Sequence, residues 1–428
     1  MIQRGIVEKL VFGGAGLIRK DGLVIFVPDV IPGEEVLFEI VSQKKNFAHA
    51  RLLEIVHKSP HRIQPRCRHF GTCGGCQLQH IAYDAHAEIK KKWLEEAFFR
   101  LFDKNIEFFS TDETFCWRRK ITLHAQRNEG KWILGYFGLD NKTLLEIEEC
   151  PLFFQDLAPL LFLKTLMKLI PGEAGSRLDV ELFKLPDATL AIRIQAPFSL
   201  PRQSRDQLLG LLRTSIFKRR ALQFGSWAYS EGDFFEPIQF SALGKPYYFS
   251  LQAFVQNHAI QGEKLWHDVV DIVDRIQEKQ TVFDLYAGVG VTAIALANLG
   301  HNVTAIEGNK DAILCAEKTC SHNVHKPIFI CSSVEKAIPK INKKATIWLL
   351  NPPRTGISKK ALELTSSKAP EHIIYISCSP ATLARDVKEF IRGGWSLDSL
   401  RGYDMFPQTT HLETIAELSR SGQCTSSP

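Results

Sequence analysis

The sequence predicts a multidomain protein in which a small N-terminal β-barrel and a central α+β domain precede a doubly wound α/β domain. The chain has 428 residues, more than a single hydrophobic core usually serves. Short strand-like runs separated by turn residues occupy residues 1–57, whereas strand and helix patterns alternate regularly from about Phe254 onward. Such alternation is typical of parallel strands that are joined by crossover helices.

The composition argues against a disordered, fibrous or membrane-spanning chain. Apolar residues make up 45% and charged residues 23% of the sequence, as in ordinary globular proteins. The most apolar stretch, 151–170, predicts a core helix and no membrane span, because it is interrupted by Gln155, Asp156, Lys164 and Lys168. Glu8 and Lys9 lie where a secretory signal would need an apolar run. We therefore expect a cytoplasmic protein without membrane attachment.

The charge is mildly basic, with a net charge of +6 and a pI near 8.7. This balance permits a polyanionic partner such as a nucleic acid but does not require one. Small basic clusters occur at 44–45, 90–92, 118–120 and 218–220, and each taken alone predicts a solvated surface. Nothing in the sequence demands an obligate protein partner, so a monomer is expected.

Two regions show strand periodicity before the α/β part. Residues 1–58 are predicted to form the barrel, with strands at Gly22–Val27, Glu35–Ile40 and Ala50–Ile55. Residues 101–250 are predicted to form the α+β domain, in which alternating and helical patterns mix, as at Lys120–Ala125, Leu190–Ile194 and Arg205–Leu212.

Residues 59–100 combine a proline-containing linker, a cysteine-rich loop and a helix. The loop CRHFGTCGGCQ carries Cys67, Cys73 and Cys76, and Cys150 stands alone in EECPL. Three thiolates in one glycine-containing loop and one distant thiolate are typical of a tetrahedral zinc site or of an iron–sulfur cluster. With zinc, His69 or His80 could equally be the fourth ligand.

Residues 251–428 are predicted to form the α/β domain, which carries a glycine-rich turn. In VFDLYAGVGVTA an apolar strand runs into Gly288 and Gly290, which allow a tight turn at the start of the next helix. Glu307 ends the following apolar strand, where a carboxylate can accept hydrogen bonds from ribose hydroxyls. A turn that needs glycine only for packing is the alternative, and Glu307 favours adenosine binding over it. NAD and S-adenosylmethionine (SAM) suit the motif equally.

Two further strand-end loops are predicted to meet at the same crevice. Cys378 follows the apolar run IIYI, and NPPRTG, at Asn351–Gly356, follows another strand. A thiol in that place is a candidate nucleophile, although a lone cysteine is ordinarily a buried structural residue. Glu413, in DMFPQTTHLETI, is the best acid nearby, and a surface carboxylate is its ordinary interpretation.

Together these motifs resemble those of the iron–sulfur-containing RNA uracil-5-methyltransferases with an N-terminal TRAM domain, especially those that act on large-subunit rRNA. The likeness covers nearly the whole chain and rests on FVPDVIPGEEV, SPHRIQPRCRHFGTCGGCQLQH, the lone Cys150, FVQ, DLYAGVG, NPPRTG, ISCSPATLARD and DMFPQTTHLET. It implies an OB-like TRAM barrel, a central α+β RNA-binding domain and a Rossmann-like SAM methyltransferase domain.

The resemblance also implies a role for each site residue. Cys378 is the nucleophile that adds to C6 of uracil, and Glu413 is the base that removes the proton from C5. The SAM pocket is formed by Gln256, Tyr286, Gly288, Gly290, Glu307, Ser333 and Asn351. A 4Fe-4S cluster is bound by Cys67, Cys73, Cys76 and Cys150. The implied partner is RNA, large-subunit rRNA in the first place and tRNA as the alternative.

Several positions depart from the family pattern, and they are Asn351, Ser379, Val291 and His258. Asn351 stands where the family usually has an aspartate, and the amide keeps an acceptor oxygen while losing the negative charge. The sequence therefore leaves two rivals to the methyltransferase. One is an NAD-type oxidoreductase, and the other is a catalytically inactive protein that binds or folds RNA.

Overall fold

The computed structural model describes residues 2–276, 279–341 and 344–420. Within these ranges the chain forms sheets of six, seven and eight strands together with a separate β-hairpin. None of the described helices combines the length and the apolar character that crossing a membrane requires.

The N-terminal sheet is built from six short strands and curls around its own side chains. Its strands are β1 Ile2–Ile6, β2 Lys9–Leu10, β3 Gly16–Lys20, β4 Leu23–Val27, β5 Glu35–Gln43 and β6 Phe47–His57. They pair in the order β1-β5-β6-β4-β3-β2. Ile18, Val27, Phe38 and Ala48, one from each of β3 to β6, share one core, so a single sheet must bend to enclose it. Irregularities in the β5–β6 pairing promote that bend.

Helix α1, His86–Ala97, and strand β7, Glu107–Phe109, connect this sheet to the rest of the protein. Trp93 of α1 packs with Leu10 and Ile31 of the N-terminal sheet region. Leu94 instead joins the core of the C-terminal sheet. Strand β7 pairs with β22 of the C-terminal sheet, whereas the sequence predicts that these residues belong to the central domain. A strand of three residues carries too little sequence pattern to predict which sheet it joins.

The central sheet has seven strands, and two helices cover one of its faces. The elements are β8 Lys120–Asn128, β9 Lys131–Phe137, β10 Leu144–Glu146, α2 Ala158–Met167, β11 Arg177–Lys184, β12 Leu190–Ala196, α3 Arg202–Arg213, β13 Phe217–Phe224 and β14 Trp227–Glu231. The strand order is β10-β9-β8-β11-β12-β13-β14. The helix predicted within 151–170 is shorter than that stretch, because it begins next to Pro159.

A hairpin of β15, Ile238–Ala242, and β16, Lys245–Phe249, joins the central and C-terminal parts. Tyr247 on the hairpin shares a core with Phe183 of the central sheet and with Val291 of the C-terminal domain. The predicted boundary between residues 250 and 251 therefore cuts through packed structure.

The C-terminal domain is a doubly wound sheet that carries one inserted antiparallel strand. Its elements are α4 Ala259–Asp274, β17 Thr281–Leu285, α5 Val291–Asn298, β18 Asn302–Glu307, α6 Lys310–Thr319, β19 Ile328–Cys331, α7 Val334–Ala337, β20 Ile347–Leu350, α8 Lys359–Lys368, β21 His372–Ser377, α9 Pro380–Arg392, β22 Trp395–Tyr403 and β23 Glu413–Arg420. The order is β19-β18-β17-β20-β21-β23-β22-β7. Strands β17 to β21 are parallel, so their carboxyl ends lie at one edge, while β23 returns antiparallel beside β21.

Candidate active site

The glycine-rich turn lies between β17 and α5, as the sequence predicts. Gly288 and Gly290 both adopt positive φ angles, of 56° and 74°. A Cβ atom at Gly290 would approach Ala316 Cβ to 3.2 Å and Phe329 Cε1 to 3.3 Å. Both the backbone conformation and the space therefore favour glycine at this helix start. Tyr286, at φ 64°, is a non-glycine residue in the same left-handed region, where strain is typical of functional sites.

The carboxylate of Glu307 holds this turn from the end of β18. The Gly288 amide donates a hydrogen bond to Glu307 Oε2 at 2.9 Å, and the Asn309 amide donates one to Oε1 at 2.7 Å. Each carboxylate oxygen keeps a further lone pair. Glu307 can therefore stabilise the turn and still accept hydrogen bonds from a ligand.

A second acid, Asp284, lies in β17 just before the glycine turn. It was not among the site residues expected from the sequence. It is only 3% exposed, and burial raises its pKa to about 7. The Thr292 hydroxyl donates a hydrogen bond to its Oδ2 at 2.6 Å. An acidic residue inside the otherwise apolar strand VFDL could have drawn attention to it, because charged side chains are rarely buried.

The thiol of Cys378 and the acid of Glu413 meet at one end of the β21–β23 ladder. Cys378 follows the last residue of β21, and Glu413 is the first residue of β23. Ser377 pairs with Thr414 in this antiparallel ladder. The next residue on each chain is Cys378 and Glu413, so these two residues are opposite each other. Two side chains that are 35 residues apart in sequence therefore share one site.

Arg354 places a positive charge near both this thiol and this acid. Burial raises the pKa of the Cys378 thiol, the nearby Glu413 raises it further, and Arg354 counteracts both effects by its charge and a hydrogen bond. Burial raises the pKa of Glu413 to about 8, and Arg354 again opposes the shift. Arg354 belongs to the NPPR loop that the sequence identified, but the loop pattern alone does not show which side chain reaches the thiol.

One cavity of about 560 Å³ connects the glycine turn with the thiol and the acid. Most of the site residues expected from the sequence line it: Gln256, Tyr286, Gly288, Glu307, Asn351, Cys378 and Glu413. Gly290 and Ser333 are not lining residues; Gly290 starts α5 and Ser333 precedes α7. The volume is in the range of small-molecule and cofactor sites.

A second cavity, of about 220 Å³, is lined by all four candidate cysteines, Cys67, Cys73, Cys76 and Cys150. Burial raises the pKa of Cys67 to about 11 and that of Cys76 to about 12, and Arg118 lowers the pKa of Cys76. Among the described residues, no group of three or more His, Cys, Asp or Glu side chains is arranged around a point where it could hold a metal ion.

The two histidines considered as alternative ligands have other partners. His69 lines the second cavity, but its Nε2 accepts a hydrogen bond from the Glu148 amide at 2.9 Å. His80 is buried outside the lining, and its Nε2 lies 3.2 Å from the carbonyl oxygen of Val30. Of the six candidate ligands, the four cysteines and His69 line the second cavity, and His80 does not.

The chain is similar to known RNA methyltransferases. Residues 238–421 match the family model of tRNA (uracil-5-)-methyltransferases. The crystal structure of the tRNA (uracil-54, C5)-methyltransferase of Pyrococcus abyssi, in complex with S-adenosyl-L-homocysteine, superposes with a TM-score of 0.75 at 24% identity, covering 97% of this chain and 100% of that one. At that identity the likeness shows a shared fold, which confirms the predicted multidomain architecture with its Rossmann-like domain.

Two curated relatives match along almost their whole length. An uncharacterized RNA methyltransferase of Protochlamydia amoebophila is 33% identical, with 97% of each chain covered. The 23S rRNA (uracil(1939)-C(5))-methyltransferase of Shewanella denitrificans is 30% identical, covering 94% of this chain and 92% of that protein. Identity of this extent, together with the matching family model, shows that the protein belongs to the RNA uracil-5-methyltransferase family.

Proposed function

We propose that the protein transfers a methyl group from SAM to C5 of a uridine in RNA, with Cys378 as covalent nucleophile and Glu413 as base. The observation that carries this proposal is the single cavity in which a thiol, an acid and the glycine turn meet. An NAD-type oxidoreductase would use the turn and Glu307, but it would leave the paired thiol and acid without a purpose.

The thiol is needed because C5 of uracil is a poor nucleophile toward a methyl sulfonium. When the Cys378 thiolate adds to C6, a carbon–sulfur bond forms and the ring's double-bond electrons give an enolate that is nucleophilic at C5. C5 then takes the methyl group, and the electron pair of the bond between the methyl group and the sulfonium stays on the sulfur of SAM. Finally, Glu413 takes the C5 proton, the C6–sulfur bond breaks, and the thiolate is regenerated.

Arg354 favours the ionised form of both reacting groups. Removal from water disfavours the charged forms of the partly buried Cys378 thiol and the buried Glu413 carboxyl, and this effect raises both pKa values. The guanidinium counteracts it for both groups without taking part in bond formation. SAM, when bound, supplies the electrophilic methyl group and a second positive charge.

The glycine-turn end of the cavity fits the adenosine and amino-acid parts of SAM. Glu307 retains acceptor capacity toward ribose hydroxyls, while Gln256 and Asn351 offer amide donors and acceptors. Gly290 starts α5 directly after the turn and Ser333 precedes α7, and neither residue lines the cavity. Asn351 supplies hydrogen bonds here without the negative charge that the family usually has.

The RNA target that we propose is large-subunit rRNA, because the Shewanella relative is named for 23S rRNA, and tRNA is the alternative. The N-terminal sheet offers a surface for RNA. Phe26, Phe47 and His49 form a cluster of rings with centroids 5.6–6.2 Å apart, and Lys44 Nζ lies 5.5 Å from the Phe47 ring. Aromatic rings beside a cation are typical of single-stranded RNA binding, as expected of a TRAM barrel.

Methyl-labelled SAM and unmodified RNA test this proposal directly. We expect label in 5-methyluridine when a large-subunit rRNA transcript is the acceptor, and less label with tRNA transcripts. S-adenosylhomocysteine should raise the melting temperature and NAD should not, since a ligand stabilises the state that binds it. Stabilisation by NAD alone would favour the oxidoreductase. Tight RNA binding without incorporation into either RNA would favour the inactive RNA-binding protein.

We further propose that the four cysteines bind a 4Fe-4S cluster. In such a cluster each thiolate binds a different iron, so the four sulfur atoms surround a volume and do not converge on one point. The cavity of about 220 Å³ between these side chains matches that requirement. Arg118 and the partly buried Tyr136, whose hydroxyl lies 3.8 Å from Cys150 Sγ, supply a positive charge and a hydrogen-bond donor for an anionic cluster.

Metal analysis of anaerobically purified protein tests the cluster. We expect about four irons and four sulfides per chain together with a broad visible absorption band. Cys76→Ser should lose most of the iron, whereas Cys331→Ser, which changes an exposed cysteine away from the cavity, should keep it. One zinc per chain, or the same iron content in both variants, would contradict the assignment.

A further inference from the structure

The segment that leads into Glu413, residues 404–412, is held by one buried lysine. Lys90 Nζ donates hydrogen bonds to Asp404 Oδ1 at 2.6 Å, to the Phe406 carbonyl at 3.1 Å and to the His411 carbonyl at 2.8 Å. A lysine ammonium has three N–H donors, so all three are used within this one segment. The side chains of Lys90 and Asp404 are both fully buried.

The lysine comes from α1, far away in the sequence, and its partner Asp404 is bound from a second side. The Tyr83 hydroxyl donates a hydrogen bond to Asp404 Oδ2 at 3.0 Å, and the backbone amide of Asp404 binds the carbonyl of Phe109 at 2.9 Å. A buried ion pair is favourable only when such additional hydrogen bonds satisfy it. The pair is thus built for one fixed geometry of the segment.

A second anchor holds the middle of the segment. The amides of Gln77 and Leu78 both donate to the carbonyl of Gln408, at 3.2 and 3.1 Å. Gln408 itself has a φ of 69°, a left-handed conformation that costs energy for a residue other than glycine. Gln77 and Leu78, which follow the cysteine loop, therefore hold the segment at a residue whose conformation costs energy.

The segment reaches the active site at two points. Phe406, whose carbonyl binds Lys90, lines the cavity together with Cys378. His411, which supplies the other carbonyl, is two residues from Glu413. The three hydrogen bonds of one ammonium thus fix both ends of the stretch that places the acid.

We propose that Lys90, paired with Asp404, is a positioning residue for proton abstraction: it fixes the segment that sets Glu413 against the C5 proton. The inference rests on the proposed function, since it assigns Lys90 to the step that Glu413 performs. Addition of Cys378 and methyl transfer depend on β21 and on the glycine turn, whereas the three Lys90 hydrogen bonds all lie within residues 404–412. Loss of the Lys90–Asp404 pair should therefore slow proton abstraction more than thiolate addition or methyl transfer.

Single-turnover kinetics separate these steps. The variant is Lys90→Met with Asp404→Asn, which removes both charges and so leaves neither buried without a partner. With excess enzyme, unmodified RNA and methyl-labelled SAM, we expect labelled RNA to remain covalently attached to the protein. Its release as 5-methyluridine should slow by roughly tenfold to a hundredfold, because small displacements of a catalytic group cost that much. Attachment of the label should change by only a few-fold.

Three further variants interpret that result. Glu413→Gln must accumulate the adduct, and if it does not, the proposed function fails before the role of the Lys90–Asp404 pair is tested. Tyr83→Phe, a milder change, should slow release a few-fold in a folded protein. Arg62→Met with Glu34→Gln removes another buried ion pair, away from the segment, and should release at the wild-type rate. If release from the Lys90 variant is unchanged, or if the Arg62 variant slows it equally, the positioning role is wrong.

Discussion

Replacing Cys378 by serine is expected to abolish the formation of 5-methyluridine while the protein still binds S-adenosylhomocysteine. A serine hydroxyl is ionised far less readily than a thiol, so it does not add to C6 of uracil at a useful rate. Loss of a covalent nucleophile typically lowers turnover by at least about 10⁴-fold. Thermal unfolding should change little, because the side chain is only partly buried and serine is nearly isosteric with cysteine.

The same variant should fail to form an adduct with RNA that contains 5-fluorouridine. Fluorine replaces the C5 proton, so the elimination that normally frees the enzyme cannot occur, and the wild type should remain attached to the RNA during denaturing electrophoresis. Cys331→Ser is the matched control, since Cys331 is exposed at the end of β19, and it should behave like the wild type. Methylation by Cys378→Ser above about 1% of the wild-type rate would assign the nucleophile elsewhere.

The positions of the candidate site residues were predictable where they follow from local sequence pattern. Gly288, Gly290 and Glu307 could be identified because a tight turn after an apolar strand constrains residue type at each position. Cys378 and Asn351 could be placed at the same edge because parallel strands end together. What local pattern could not show is that β23 inserts antiparallel beside β21, which is the pairing that brings Glu413 to the thiol.

Residues that act through distant partners were predicted least well. The basic cluster at Lys90–Lys92 indicated a solvated surface, yet Lys90 is fully buried. Its burial depends on Asp404, 314 residues further along the chain, and no periodicity in α1 reveals that partner. Arg354 was overlooked for the same reason, since only the folded chain shows which loop side chain faces the thiol.

Glu413→Gln is expected to stop turnover after a single methyl transfer. The amide cannot take the C5 proton, so the methylated base should stay bound to Cys378 and release should fall by about 10²–10⁴-fold, the usual contribution of a general base. Wild-type release should instead become faster as the pH rises toward the pKa of Glu413, which burial raises to about 8. The measurement is the amount of protein-bound labelled RNA with time, and Glu417→Gln, which changes a partly exposed acid on the same strand, is the control.

The same substitution should also stabilise the protein, in a manner that depends on pH. In the unfolded chain Glu413 ionises near its ordinary pKa of 4.5, whereas in the folded chain it stays protonated up to about pH 8. Unfolding therefore releases a proton between these two values, and the wild-type free energy of unfolding falls as the pH rises through that window. Glutamine does not ionise, so the stability difference should grow across the window to on the order of 5 kcal/mol. A difference independent of pH would mean that Glu413 is ionised in the free enzyme. Under the proposed function the buried acid costs stability but performs the final proton transfer, so a more stable variant that holds its product would tie this carboxyl to catalysis.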